Sequence, residues 1–91
     1  MSFNPDKIDD FLINFNDNKH KIRNTKGCNF LELYRDKTNL NIFFTYSYWD
    51  TKQDLDNYRD SNLFKSVWAN TKVLFNKKPE AWSVDKLYSL K

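Results

Sequence analysis

The hydrophobic pattern of this 91-residue chain predicts an α+β fold of βαββαβ order around an antiparallel sheet. Three observations carry that expectation. An apolar stripe at helical spacing runs from Ile8 to Ile22. Two strand-like runs, Cys28–Arg35 and Ile42–Trp49, flank a polar turn. A second helical stripe, from Leu55 to Phe75, follows the second strand at once and leads to a short strand-like close.

The first strand of that order is nearly missing. Met1–Phe3 would be only its end, so the chain reads as N-terminally truncated, and an extension of about six residues, an average strand, is expected to raise the melting temperature. Asn4-Pro5-Asp6 is a helix start, with an acceptor at the N-cap, proline at the first position and acid in the first turn. Ile8, Phe11, Leu12, Phe15 and Ile22 keep to one face, and Asn24-Thr25-Lys26-Gly27 ends the helix. CNFLELYR, from Cys28, has strand propensity with apolar residues on both parities, Phe30 and Tyr34 on one and Leu31 and Leu33 on the other. The polar cluster Asp36–Asn41 then makes the two strands an antiparallel hairpin.

Thr51 can cap the next helix, with Asp54 three residues on. The stripe breaks at Asp60-Ser61-Asn62 and resumes with Leu63, Phe64, Val67, Trp68, Thr71, Leu74 and Phe75, so a bend or second cap is expected there. Lys77-Lys78-Pro79 is expected to stop the helix, and Ala81–Leu87 to form the last strand.

Length and composition point to one domain over residues 1–91. The net charge of +3 has a structural reading: Asp6, Asp9 and Asp10 open the first helix while Lys19, Lys21, Arg23 and Lys26 close it, complementing the helix dipole. Gly27 is the only glycine, so neither a Walker loop nor a dinucleotide fingerprint can be built. One histidine and one cysteine cannot make a Cys/His zinc cluster, and Asp54, Asp56 and Asp60 lack the glycine turn of a calcium loop. No metal or cofactor is therefore expected. No apolar run is long enough for a membrane span or placed as a leader, so a soluble, cytoplasmic protein is expected.

Ile42–Trp49 is apolar, aromatic or hydroxylic throughout, which suits a strand covered on both faces. Two helices cover one face only. An aromatic face left in water would exceed what monomers expose, and a second copy lets one patch bury itself, so a homodimer packed through the sheet face is expected. The βαββαβ order is also that of the RNA recognition motif, but NIFFTYSY, from Asn41, contains neither the glycine nor the basic residue of that motif, so no nucleic acid is expected.

The strand ending in Trp49, the run LDNYRDSNLFK from Leu55 to Lys65 and KPEAWSVD from Lys78 to Asp85 resemble the antibiotic biosynthesis monooxygenase family. The likeness extends from Phe3 to about Leu87. It implies a ferredoxin-like fold assembled as a dimeric α/β barrel. It also implies an oxidoreductase that joins dioxygen to a phenol, quinol or polycyclic aromatic without metal or flavin; a related branch degrades haem. On that resemblance Trp49, Tyr58 and Arg59 are the candidate catalytic residues, with Arg35 as an alternative cation. Tyr34, Thr45, Ser47, Phe64 and Trp68 are the candidate substrate contacts. Thr45 stands where anthrone oxygenases of the family resemble one another in carrying asparagine, and Tyr58 where many relatives carry histidine. Haem breakdown is accordingly remote. The rival expectation is a non-catalytic dimer of the same fold that binds a small hydrophobic molecule.

Overall fold

The structure is a computed structural model that describes residues 1–90. Its elements are α1 (Ile8–Arg23), β1 (Cys28–Arg35), β2 (Phe43–Trp49), α2 (Lys52–Arg59) and α3 (Asn62–Lys72), with a 3-10 turn over Pro5–Lys7 before α1. No helix among the described residues is long and apolar enough to cross a membrane.

Asn4 does not act as the side-chain cap that its position suggested. Its backbone carbonyl accepts from the Lys7 amide at 2.9 Å, a 3-10 closure, and its side chain makes no capping bond. The end of α1 follows the sequence. Asn24 and Thr25 close the last turn, and Gly27 takes φ 85°, a left-handed conformation that side-chain-bearing residues avoid. A Cβ at Gly27 would also lie 2.4 Å from the Asp54 carboxyl carbon, so the glycine lets β1 start directly beneath α2.

β1 and β2 pair antiparallel, joined by a turn in which Asp36 Oδ2 accepts from the amides of Thr38 and Asn39 at 3.0 and 2.7 Å. A bulge at Asn29 shifts the register, Cys28 facing Trp49 whereas Phe30 faces Tyr48. Beyond the bulge, Leu31, Leu33 and Arg35 share the helix-covered face with Ser47, Thr45 and Phe43. Phe30, Glu32 and Tyr34 share the outer face with Tyr48, Tyr46 and Phe44.

The first strand is short but in place. Phe43 and Met1 exchange two bonds of 2.8 Å, Phe3 donates to Asn41 at 3.0 Å, and Phe3 bridges Phe75 on its other side. The order across the sheet is therefore Phe75, Met1–Phe3, β2, β1, a ferredoxin-like arrangement. Phe3 is 0% exposed and is the centre of the core. Its ring stacks on Phe11 at 4.2 Å and meets Phe75 and Phe43 at 5.0 and 5.8 Å. Burying one such side chain is worth about 1.5–3 kcal/mol.

Two expectations for the C-terminal third are corrected. α3 ends at Lys72, ahead of Lys77-Lys78-Pro79, because the amides of Leu74 and Phe75 turn back to Thr71 and Lys72 and aim Phe75 at Phe3. Ala81–Leu87 is not a strand. The place beside the short first strand where a closing strand would pair holds only the bridge at Phe75, and Asn76 donates to the Ser2 carbonyl at 3.0 Å before the chain leaves the sheet. Residues 77–90 run on without pairing.

One flank of β2 stays open. The backbone bonds of Phe43 point to Met1, away from β1, so by the two-residue period those of Thr45 and Ser47 point the same way. Among the described residues no strand pairs with them.

Candidate functional site

The helix-covered face of the sheet grades from packed to open. At the Phe43 end, Phe3, Phe11 and Phe43 fill the space between sheet and α1. Toward Trp49 the side chains of the same parity shrink to Thr45 and Ser47, and the space beneath the helices is not filled. The resulting cavity measures about 1540 Å³ and is walled by Phe15, Ser47, Trp49, Tyr58, Phe64 and Trp68 among others. Ligand sites usually enclose ~300–1,000 Å³. The excess arises because the same cavity also takes in Phe44, Tyr46 and Tyr48 of the outer parity and residues 77–86 of the C-terminal segment.

An aromatic chain links this cavity to the core. Trp49 stacks on Tyr58 at 5.1 Å and 24°, Tyr58 meets Phe64 edge-on at 5.2 Å, Phe64 lies parallel to Trp68 at 6.1 Å, and Trp68 meets Phe75 at 5.5 Å. Two caps fix the helices that carry it. Thr51 Oγ1 accepts from the Asp54 amide at 3.0 Å and Ser61 Oγ from the Phe64 amide at 3.1 Å, so the helix breaks at Asp60-Ser61 where the stripe is interrupted.

The charged side chains that line the cavity are exposed, and its half-buried polar groups include Ser47, Trp49 and Tyr58. The Trp49 indole N–H donates to Ser47 Oγ at 3.0 Å. Burial first, and the neighbouring Cys28 thiol second, push the Tyr58 phenol up to about 12, so Tyr58 is neutral at physiological pH and cannot serve as a base. Such a site offers hydrogen bonds and stacking surfaces to a flat molecule, with no general base at its centre.

Of the residues singled out from the sequence, Thr45, Ser47, Trp49, Tyr58, Phe64 and Trp68 are brought together around this cavity, and Arg59 lies exposed at its rim. Tyr34 is not among them. It lies on the outer face, stacked on Phe44 at 5.2 Å and hydrogen-bonded to Glu32. Arg35 is occupied elsewhere: its guanidinium sits 5.0 Å over the Phe43 ring and its Nε donates to the Leu40 carbonyl at 2.8 Å. Phe15 and Val67 line the cavity without having been singled out for it, because the helical stripe that marks them serves core and cavity alike.

The outer face is a continuous aromatic surface. Phe30 contacts Tyr46 and Tyr48 at 5.8 and 5.2 Å, and the Tyr46 hydroxyl donates to that of Tyr48 at 2.9 Å. Lys86 lies 4.7 Å over the Tyr48 ring and holds that phenol below its usual range, while the bond to Tyr48 raises Tyr46. Phe44, Tyr34 and Tyr46 remain 51%, 39% and 36% exposed.

A two-layer α+β unit with an aromatic-walled trough between its layers is the framework of a small-molecule site. The family profile described as antibiotic biosynthesis monooxygenase matches residues 1–69, and the chain belongs to that family. The structure of a conserved protein from Methanosarcina mazei Go1 superposes with a TM-score of 0.82 at 20% identity, covering 87% of this chain and 78% of that one, a likeness of fold. No curated protein matches the sequence.

Proposed function

We propose that this protein is a cofactor-independent monooxygenase that joins dioxygen to a phenol, quinol or polycyclic aromatic, acting in the cytoplasm as a homodimer packed through the outer sheet face. The observation that carries the reading is the stacked pair of Trp49 and Tyr58 in the wall of a trough that also holds Ser47, Phe64 and Trp68. In this chemistry the substrate supplies the electrons. Its phenolate passes one electron to dioxygen, the aryloxyl radical and superoxide join at a ring carbon, and the peroxide loses water to leave a quinone. The protein has to hold a flat ring, favour its anion and keep water out. Trp49 supplies the stacking wall, Tyr58 a neutral donor, Thr45 and Ser47 the space, Phe64 and Trp68 the far wall, and Arg59 a cation at the rim.

Oxygen uptake with a panel of quinols and hydroxylated polycyclic aromatics tests this. Wild type should consume oxygen, Trp49→Ala at least about tenfold less, a loss of ~1.4 kcal/mol, and Trp49→Phe an intermediate amount. Uptake indifferent to both changes would remove Trp49 from the site. Ring binding without uptake would instead favour a non-catalytic carrier of the same fold, a reading supported by Tyr58 keeping its proton and by the exposed position of every carboxylate that lines the trough.

A further inference from the structure

Trp49 looks like the donor that a bound oxygen would meet, but its single N–H is already given to Ser47 Oγ at 3.0 Å. A hydroxyl that accepts one bond keeps its own proton to give. Ser61 and Thr71, which also accept a bond, spend that proton within the fold, Ser61 on the Tyr58 carbonyl at 2.5 Å and Thr71 on the Val67 carbonyl at 2.7 Å, whereas exposed Thr51 does not. Ser47 donates to nothing among the described residues. It is half-buried, and strand parity turns it toward the helices and the cavity.

The charged residues that line the trough are all exposed. They are Asp50, Lys52 and Arg59 at the Trp49 mouth and Lys77, Lys78, Glu80, Asp85 and Lys86 on the C-terminal wall, with cations outnumbering acids. The Tyr58 phenol stacks on the Trp49 ring and buried Cys28 faces Trp49 across the strands, and Tyr58 holds its proton. The interior therefore presents donors, with no carboxylate or imidazole to take a proton from a ligand.

We propose that Ser47, oriented by Trp49, is the donor that receives the oxyanion of an aromatic ligand, and that the ligand enters already ionised, which selects acidic phenols, quinols and enols. The indole polarises the hydroxyl it bonds, so the Trp49–Ser47–oxyanion chain is stronger than an isolated serine bond. Toward the oxyanion Trp49 is then a positioning residue, beside its role as stacking wall, and Ser47 is the group that touches the charged oxygen. The inference rests on the trough being an aromatic-ligand site, as argued above.

Absorbance titration of 4-nitrophenol, whose ionisation is visible near neutral pH, separates the two claims. Bound to wild type, its ionisation midpoint should fall by about one unit, meaning that the anion binds about tenfold tighter than the neutral phenol. Ser47→Ala should abolish that preference, Ser47→Thr should retain it, and Trp49→Phe should weaken it, with melting curves checking that each variant is folded. Binding that keeps its anion preference in folded Ser47→Ala overturns the role of Ser47 and leaves the aromatic site standing. No binding to wild type at millimolar concentration overturns both.

Discussion

Alternate residues of β2 meet two different environments. Phe43, Thr45, Ser47 and Trp49 face the helices and pass from a filled core at one end to a trough at the other. Phe44, Tyr46 and Tyr48 face outward with Phe30 and Tyr34 in a broad, partly exposed layer of rings, and the three from β2 also border the trough. Both parities are apolar, yet only one contains small residues. Large rings throughout make a surface that can be sealed by another like it, whereas two hydroxyl residues between Phe43 and Trp49 make a space that something else must fill.

The most forceful way to break this contrast is to truncate neighbouring rings. Phe43→Ala should cost about 3–5 kcal/mol, because Phe43 is 2% exposed and packed against Phe3 and Phe11. Phe44→Ala, one residue on and 51% exposed, should cost less than about 1.5 kcal/mol in the single chain. Urea unfolding of the two variants side by side checks this. Equal losses would mean that the faces are not differently packed.

A charge on the outer face sharpens the comparison from the other side. Tyr46→Lys should leave the helix-facing layer folded and weaken self-association by about 2 kcal/mol, roughly thirtyfold in Kd, because an unpaired ammonium must lose its water in the interface. Light scattering across a dilution series should then show single chains where wild type shows pairs. Wild type running as a monomer at micromolar concentration would remove the sheet-to-sheet dimer altogether.

The sequence showed some of this contrast and concealed the rest, for local reasons. Thr45 and Ser47 on the parity of Trp49 announced a space beneath the helices, and the interruption at Asp60-Ser61-Asn62 announced the break between α2 and α3. The face that Tyr34 occupies depends on one residue of register. Counting in twos from buried Cys28 puts Tyr34 on the inner face, but the bulge at Asn29, where the side chain is bonded to Asp50, flips every later residue of β1 to the opposite face. Phe75 reads as the last residue of a helical stripe, and only its contact with Phe3, from the far end of the chain, makes it a sheet residue. Non-local pairing of that kind leaves no mark in the neighbouring sequence.

The smallest expected effect concerns the wall shared by the trough and its aromatic chain. The Tyr58 phenol is raised from 10.0 to about 12 in the folded chain, chiefly by burial. Below pH 10 it is protonated whether folded or not and contributes no pH dependence. Above pH 10 the unfolded chain releases the proton while the folded chain holds it, so stability falls as pH rises, until the folded phenol also ionises near 12. Solvent reaches part of the ring, so the loss across that window should be no more than about 1 kcal/mol. Lysines and the other tyrosines titrate there too, and the difference between wild type and Tyr58→Phe isolates this one group. Melting temperatures of the two should diverge as pH rises from 9 to 11 if the hydroxyl is otherwise neutral to stability, wild type falling below the phenylalanine variant, which lacks the alkaline loss. Parallel curves would mean that Tyr58 meets water as freely as the outer tyrosines, and that the trough is wetter than its stacked walls imply.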